Sequence, residues 1–318
     1  MEHEFYRRIG YSGSLQEISE VICNDFNLGT FVKNTLLTIG YEDFNVKLET
    51  SKGNYFVKIF ANFRDLSMCE RYVKVMLSAN KAGVQHPGLY SSSQGYLHQI
   101  TVQNTVLRLV VMEYLDGKDL FHLGIKPNEQ EIRFLARQAA NINGIKIKPT
   151  PVYDSWAVAN FPKEYHKKWK YLEADDLKRI KQLFEEYEKL HLESLPKCFV
   201  HGDIISTNVL KDAKQQLWII DFAVSNYYPR IQELAVLACN LLFVENKPSE
   251  TKQNLELALK EYQKHIRLLD IELKSLPVYI KLAHAMHVLC ANYEKQVNAN
   301  ALPENEYWLG HGRAGLGQ

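Results

Sequence analysis

The sequence predicts an α+β protein with a small, sheet-rich N-terminal lobe followed by a larger, mostly helical lobe. Strand-like runs dominate the first 113 residues and helical periodicity dominates the remainder, so we place the two lobes at 1–113 and 114–318. The chain has 318 residues, of which 46% are hydrophobic and 24% are charged. This composition suits a folded protein of about two domains and excludes a disordered or collagenous one.

Alternating strand and helix signals define the N-terminal lobe. Ser14 is a candidate helix cap, and Glu17 completes a capping-box pattern, so a helix is expected to extend to about Phe26. Two alternating runs flank a short turn that contains Gly53, which predicts a hairpin in an antiparallel sheet. The predicted strands cover 30–39, 44–50, 55–60, 96–102 and 105–112, and a further helix covers 66–81.

The C-terminal lobe is predicted from a 3.6-residue hydrophobic period that one β-type insertion interrupts. The insertion covers 198–222, where two apolar strands flank a polar loop. The predicted helices cover 129–143, 163–172, 175–192, 230–243, 250–269 and 277–298.

Charge and hydropathy exclude several classes of partner. The chain has 38 Lys and Arg against 37 Asp and Glu, so no basic field points to nucleic acid. The longest apolar stretch, 234–244, is interrupted by Asn240 and falls short of the ~20 residues that span a bilayer. Five widely spaced cysteines indicate reduced, mostly buried thiols. We therefore expect a cytoplasmic monomer or homodimer that binds neither nucleic acid nor membrane.

The polar loop of the insertion carries the strongest chemical signal. Asp203 is followed five residues later by Asn208, and Asp221 closes the next apolar strand. This spacing matches a kinase catalytic loop and its metal-binding aspartate. Phosphoryl transfer needs a carboxylate near the attacking hydroxyl and oxygen ligands for Mg²⁺. The sequence therefore predicts that Asp203 orients the hydroxyl and that Asn208 and Asp221 hold the metal.

A lysine in the N-terminal lobe fits the same chemistry. Lys58 lies among apolar neighbours on the predicted third strand, and Glu70 lies on the following helix. In a kinase such a pair grips the α- and β-phosphates of ATP. Alternatively, Lys58 extends its head to water and Glu70 is a solvated charge. If Lys58 is paired but not with Glu70, Asp65 is the nearest other candidate partner.

These motifs resemble those of the aminoglycoside phosphotransferase and choline kinase superfamily, which has a protein-kinase-like bilobal fold. The string His-Gly-Asp at 201–203, followed by Asn208, is that superfamily's form of the catalytic loop. The resemblance implies ATP, or GTP, with Mg²⁺ as cofactors. The segment 110–117 resembles the hinge between the lobes, whose backbone would read adenine, which adds nucleotide-binding roles for Met112, Glu113 and Leu115.

Two short segments indicate which branch of the superfamily the chain resembles, and three positions depart from the superfamily's pattern. Segments 233–235 and 305–310 look most like homoserine, hydroxylysine and related kinases. The nucleotide-covering loop keeps one glycine, Gly40, which we assign to nucleotide binding. Asn143 stands where relatives often carry histidine, and Ala223 replaces the glycine that often ends the triplet at Asp221.

The acceptor is expected to be a small hydroxyl compound. Between Asp221 and the helix predicted near Arg230 there is no room for the segment that docks a peptide in protein kinases. The stretch 128–198 has 11 Asp and Glu against 13 Lys and Arg, so it does not favour a polycation. An amino acid or amino alcohol such as homoserine is favoured. The alternatives are an aminoglycoside-type antibiotic kinase and a nucleotide-binding pseudokinase regulator.

Three further features of the sequence each allow a simple structural interpretation. His284 and His287 lie one helical turn apart, but without a third ligand nearby in sequence we favour packing over metal binding. The segment 308–313 either contacts the acceptor or docks as a terminal helix. A solvated helix face accounts best for a cluster of four lysines, Lys163, Lys167, Lys168 and Lys170.

Overall fold

The computed structural model describes residues 2–11, 13–38 and 42–317, with side chains from residue 6 onward. The chain divides into two compact units. The first contains Met1–Lys81, Gln85–Gly117 and Asp212–Trp218, and the second contains Ala82–Val84, Lys118–Lys211 and Ile219–Gln318.

The first unit is built on an antiparallel sheet, as the sequence predicts. Its strands are β1 (Phe31–Leu37), β2 (Phe44–Thr50), β3 (Gly53–Ile59), β4 (Leu89–Tyr90), β5 (His98–Val102) and β6 (Thr105–Glu113). They follow the order β1-β2-β3-β6-β4, and β5 pairs with β6. The helices are α1 (Glu2–Ile9), α2 (Leu15–Asp25) and α3 (Leu66–Lys81).

The predicted hairpin joins β2 to β3. Its register pairs Phe44 with Ile59 at one end and Thr50 with Gly53 at the turn. Gly53 has a φ of 145°, in the region that side chains disfavour, so a glycine suits this turn. The hairpin fixes which side chains of β3 point inward, and Lys58 is among the buried ones.

The start of α2 is capped by Ser14, whose hydroxyl accepts a hydrogen bond from the backbone N–H of Gln16 at 3.2 Å. The predicted capping box does not form, because the Glu17 carboxylate accepts hydrogen bonds from the Tyr11 hydroxyl and from Gln103 Nε2 instead. Tertiary partners thus replace the local bond that the sequence pattern suggested.

Helices dominate the second unit, as predicted. They are α4 (Leu120–Leu123), α5 (Glu129–Asn143), α6 (Phe161–Lys168), α7 (Ala174–Tyr187), α8 (Ile231–Leu237), α9 (Pro248–Tyr262), α10 (Asp270–Val297) and α11 (Pro303–Gly317). After the first sheet the chain also forms short strands, β7 (Gly117–Asp119), β8 (Lys197–Val200), β9 (Val209–Asp212), β10 (Leu217–Ile219) and β11 (Asn226–Pro229). β8 and β11 form an antiparallel pair that holds the start of the polar loop.

The helix predicted over 230–243 is α-helical at its start and π-helical at its end. After α8, the residues Ala238–Leu242 form a π-helical turn. The side-chain amide of Asn240 donates to the backbone oxygen of Val236 at 2.9 Å, competing for the carbonyl that the regular helix would use, and Phe243 N donates to Ala238 O, five residues back. This turn brings Cys239 into the interior of the unit.

The long helix α10 begins seven residues before the predicted start. Pro277 therefore lies inside the helix and not at its first turn. The helix begins where Glu272 accepts a hydrogen bond from the backbone N–H of Leu269 at 2.9 Å, and Glu272 also forms an ion pair with Arg230. A local capping interaction thus overrides the proline signal.

One lysine of the cluster on α6 contradicts its predicted exposure. Lys168 is buried, with its ammonium 2.7 Å from Glu164 and 3.1 Å from Cys290 Sγ. The other lysines of the cluster are exposed, as expected. Lys168 is buried because it lies on the face of α6 that packs against α10, and Glu164 supplies the compensating charge.

The C-terminal residues form α11, which packs along α10. Asn305 Nδ2 donates to Ala291 O at 3.1 Å, and Trp308 is buried. Four of the five cysteines are buried and Cys198 is half-buried, and none of them forms a disulfide within the described residues. Among the helices described, none is long and apolar enough to cross a membrane.

Candidate active site

The polar loop after β8 brings the predicted catalytic and metal-binding residues together in the second unit. Asn208 Nδ2 donates to the Asp203 carboxylate at 2.6 Å and to the Asp203 backbone oxygen at 3.1 Å. The backbone N–H of Ile220 donates to Asn208 O at 3.0 Å, which places Asp221, the next residue, beside the loop. Three residues separated in sequence therefore share one site.

A buried histidine ties the same two segments together. His201 Nδ1 accepts the backbone N–H of Asp203 at 3.2 Å, so its Nε2–H is the donor to Ile220 O at 3.0 Å. Its ring packs against Phe222 with centroids 4.4 Å apart. Gly202 follows with a φ of 82°, and a Cβ there would meet nothing closer than 3.6 Å, so the backbone conformation and not space requires the glycine.

Glu233 anchors the loop and was not assigned a role from the sequence. Its buried carboxylate accepts the backbone N–H of His201 at 2.6 Å and of Gly202 at 3.3 Å, and the side-chain amide of Asn143 at 3.3 Å. Burial raises the pKa of Glu233 to about 7, while these hydrogen bonds oppose the rise. Asn143 also accepts the Tyr262 hydroxyl at 2.7 Å. Asn143 therefore helps to hold the loop that carries Asp203.

The carboxyl of Asp203 has an unusual environment. Its pKa is raised to about 8, chiefly by burial and also by the nearby carboxylates of Asp154 and Asp221, while the hydrogen bond from Asn208 opposes the rise. Asp154 is a second residue that sequence reasoning missed, because it lies about fifty residues upstream in a stretch with no motif.

Asp221 adopts a strained backbone conformation. Its φ is 64°, in the left-handed region, and its carboxylate accepts the backbone N–H of Ala223 at 3.2 Å. Because the left-handed residue of this turn is Asp221, position 223 does not need a glycine. Alanine in place of glycine at position 223 is therefore compatible with this conformation of Asp221.

The oxygen atoms of Asn208 and Asp221 fit a divalent metal. The amide nitrogen of Asn208 faces Asp203, so the amide oxygen is the side-chain atom that can bind a metal ion. Asp221 is exposed and carries a carboxylate. Amide and carboxylate oxygens are the ligands that Mg²⁺ and Ca²⁺ prefer.

In the first unit, Lys58 is held by a residue that the sequence did not suggest. Lys58 Nζ lies 3.4 Å from Asp43 Oδ2 and 5.4 Å from the centre of the Tyr72 ring. Asp43 also accepts Arg64 Nε at 2.8 Å and the backbone N–H of Ala61 at 3.1 Å. Burial alone would raise the pKa of Asp43, but Lys58 and Arg64 lower it below its ordinary value.

The predicted pairing of Lys58 with Glu70 is wrong. Helix α3 buries its Cys69, Tyr72 and Met76 face, and this leaves Glu70 exposed, beside a surface depression that Lys74 also lines. Asp65, the other candidate partner, accepts the backbone N–H of Met68 at 2.8 Å at the start of α3.

The segment predicted to be the hinge begins as a strand. Met112 is buried in β6 opposite Phe56, and the backbone N–H of Glu113 donates to Gly88 O at 2.9 Å. Leu115 follows the strand and is half-buried, and within the described residues its backbone N–H makes no hydrogen bond. Gly40 lies outside the described residues.

The chain belongs to the phosphotransferase enzyme family, whose sequence profile matches residues 34–266. Family membership makes the chain a phosphotransferase, as the catalytic-loop motif indicated. A search of the curated proteins finds no significant match.

Solved structures confirm the predicted kinase-like α+β fold. An amicoumacin kinase is similar with a TM-score of 0.68 at 17% identity, over 99% of this chain and 96% of that one. A microcompartment-associated aminopropanol kinase gives a TM-score of 0.69 at 11% identity, over 95% of both chains. The choline kinase LicA from Streptococcus pneumoniae gives 0.62 at 16% identity, over 95% of this chain and 98% of that one.

Proposed function

We propose that the protein transfers the γ-phosphoryl group of ATP, with Mg²⁺, to the hydroxyl of a small amino acid or amino alcohol. The observation that carries the proposal is the hydrogen-bonded link from Asp203 through Asn208 to the segment that ends at Asp221. A folded module without catalytic activity has no need of a carboxylate in the position of Asp203, which argues against a pseudokinase regulator.

Each residue has a distinct role in this proposal. In its ionised form, Asp203 accepts a hydrogen bond from the acceptor hydroxyl and orients it. It takes the hydroxyl proton as the new bond to the γ-phosphorus forms and the bond from that phosphorus to the β,γ-bridging oxygen breaks, which releases ADP. Asn208 and Asp221 would hold Mg²⁺, which neutralises charge on the phosphate oxygens. Lys58 binds the α- and β-phosphates, and the backbone at Leu115 is available to adenine or guanine.

An acceptor that carries an amino group is favoured. Asp154 lies near enough to Asp203 to raise its pKa, so a second carboxylate is close to where the hydroxyl would bind. An ammonium group would be attracted there. Two of the similar structures are an aminopropanol kinase and a choline kinase, both named for amino alcohols, and the sequence resemblance to homoserine kinases points to the same class.

An antibiotic kinase is the second candidate, because an amicoumacin kinase and a spectinomycin phosphotransferase are also structurally similar. A panel of hydroxyl compounds separates the two candidates. It should include homoserine, ethanolamine, choline, aminopropanol, spectinomycin and an aminoglycoside, each tested with Mg-ATP for release of nucleoside diphosphate.

Two substitutions test the assigned chemistry. Asp203→Asn should lower kcat by 10²–10⁴-fold, about 3–5 kcal/mol of barrier, while Mg-ATP binding is retained. Asp221→Ala should weaken ATP binding in Mg²⁺ and change it little in EDTA, because it removes a metal ligand. Calorimetry and steady-state kinetics measure both effects.

Asp175→Asn, which changes an exposed carboxylate on α7, is the matched control and should behave as wild type. Turnover by Asp203→Asn within a few-fold of wild type would disprove its assigned role. Absence of turnover with every acceptor, together with tight Mg-ATP binding, would favour a nucleotide-binding regulator.

A further inference from the structure

We propose that the second unit contains a binding site for a thiophilic divalent metal, best matched by Zn²⁺, formed by Cys239, His284 and His311. The three residues come from the π-helical turn after α8, from α10 and from α11. This inference does not depend on the proposed phosphoryl transfer.

The spacing of the three side chains suits a tetrahedral metal. One ligand atom from each residue lies within 4.8 Å of the other two, and Cys239 Sγ is 3.3 Å from His284 Nδ1. Bond lengths of about 2.3 Å to sulfur and about 2.0–2.1 Å to nitrogen imply ligand separations of roughly 3.3–3.6 Å in a tetrahedral zinc site. Small side-chain rotations would therefore complete the coordination.

A backbone hydrogen bond orients the ring of His311 as such bonds do in metal sites. His311 Nε2 donates to Cys239 O at 2.8 Å, which leaves the Nδ1 lone pair of that ring for another partner. Zinc-bound histidines commonly donate their second nitrogen to a carbonyl in this way.

The protonation states of the two histidines suit a metal. Burial lowers the pKa of His284 to about 3 and of His311 to about 4, so both rings are neutral at pH 7, as metal ligands must be. Burial raises the pKa of the Cys239 thiol, and the charge of the nearby Lys126 opposes that rise. Lys126 is held there by its hydrogen bond to Asn240 O at 2.9 Å. A bound metal would favour the thiolate further, and the thiolate would offset part of the added charge.

A fourth donor lies one helical turn along α10. His287 is buried, and its Nδ1 has no hydrogen-bond partner among the described residues. Its ring centroid is 5.6 Å from that of His311. An unsatisfied buried nitrogen is costly, so recruitment of His287 to the metal would remove a penalty as well as add a ligand.

Cobalt provides the direct test, because a thiolate bound to Co²⁺ produces a charge-transfer absorption that imidazole and oxygen ligands do not. The full-length, reduced protein is freed of metal with a chelator and titrated with Co²⁺ and then with Zn²⁺. We expect one Co²⁺ per chain with thiolate absorption, displacement by Zn²⁺, and a rise in Tm with Zn²⁺ that Mg²⁺ does not produce. At 100 Kd of Zn²⁺ the ratio of folded to unfolded protein should increase about 100-fold.

Substitutions of single residues test which side chains bind the metal. Cys239→Ser should abolish the thiolate absorption, whereas His311→Gln should keep the cysteine but weaken Co²⁺ binding at least tenfold. Cys69→Ser, a buried cysteine in the first unit, is the matched control and should bind like wild type. Circular dichroism verifies that each variant folds. Absence of thiolate absorption in the wild type, or its persistence in Cys239→Ser, would overturn the proposal.

Discussion

The environment of Lys58 shows how one buried cation is accommodated. Lys58 and Arg64 both point at Asp43, which is itself almost fully buried, so two cations share one inward-facing carboxylate. Arg64 also reaches the more exposed Glu42 at 2.5 Å, which balances the second positive charge. Removing the central carboxylate would leave charges buried without compensation.

We expect Asp43→Asn to impair catalysis and Glu70→Gln to leave it unchanged. If Lys58 binds the phosphates, the amide cannot hold its ammonium in place, so kcat/KM for ATP should fall at least tenfold. Glu70 is exposed, and its substitution should change kcat/KM by less than twofold. Steady-state kinetics with varied ATP measure both, with circular dichroism to confirm folding.

The Lys58→Ala background distinguishes positioning from a general structural effect. There, adding Asp43→Asn should cost little more in kcat/KM, because the residue that it orients is already gone. Fully additive losses would show that Asp43 acts on another part of the protein.

At the residue scale, the sequence could predict which residues lie together where the information was local, and the roles of those residues stay predictions. Asp203 and Asn208 share one short loop, and the apolar strand before Asp221 marks that residue clearly. Asp43 and Glu233 act through contacts that the fold creates. Asp43 carries no local signal, and segment 233–235 showed only a resemblance to related kinases, without a role for Glu233. The partners of His284 lie 45 residues upstream and 27 downstream, so spacing alone could not reveal the cluster.

At the scale of elements, the packing of α11 on α10 depends on small residues. A Cβ at Gly312 would lie 2.6 Å from the backbone oxygen of His284 and 2.8 Å from the Val288 side chain. Contacts this short against backbone cannot be relieved by a side-chain rotation. The two helices therefore approach closely only because position 312 has no side chain.

A pair of alanine substitutions on α11 tests this packing. Gly312→Ala should lower the free energy of unfolding by about 1–3 kcal/mol, the range for overpacked sites. Gly310 is exposed on the same helix, and a Cβ there would meet no atom within 4 Å among the described residues. Gly310→Ala should therefore raise stability by up to about 1 kcal/mol through helix propensity. Urea unfolding measures both, and equal effects of the same sign would contradict this account.

The elements predicted best are those with strong local patterns. The structure reproduces the predicted bounds of β2, α3 and α5, because strict alternation or a clear helical period fixes each of them. Errors arose where side chains intervene: Asn240 converts the end of a helix to a π-helical turn, and Glu272 starts α10 well before Pro277.

At the scale of the whole molecule, stability should depend on pH through Asp43. Its pKa is lower in the folded protein than in the unfolded chain, so its carboxylate stabilises the fold above about pH 4 and that contribution is lost as the pH falls further. Asp43→Asn should be less stable than wild type by about 3–5 kcal/mol at pH 7. The difference should narrow as the pH falls below about 4.

Chemical unfolding at pH 7, 5 and 3.5 measures this difference. Glu256→Gln, an exposed carboxylate on α9, is the control and should differ little from wild type at each pH. A gap between wild type and Asp43→Asn that stays constant across the series would rule out Asp43 as the source of the pH dependence.

The anchoring of Lys58 by Asp43 also affects how the protein can be regulated. In protein kinases, the lysine to which Lys58 is predicted to correspond is held by a glutamate on a mobile helix, and signals act by moving that helix. Here the anchoring charge comes from the residue just before β2, and α3 meets Lys58 through the uncharged ring of Tyr72. Displacing α3 would leave the charge contact intact. We therefore expect a constitutively active enzyme whose output follows the supply of its substrates.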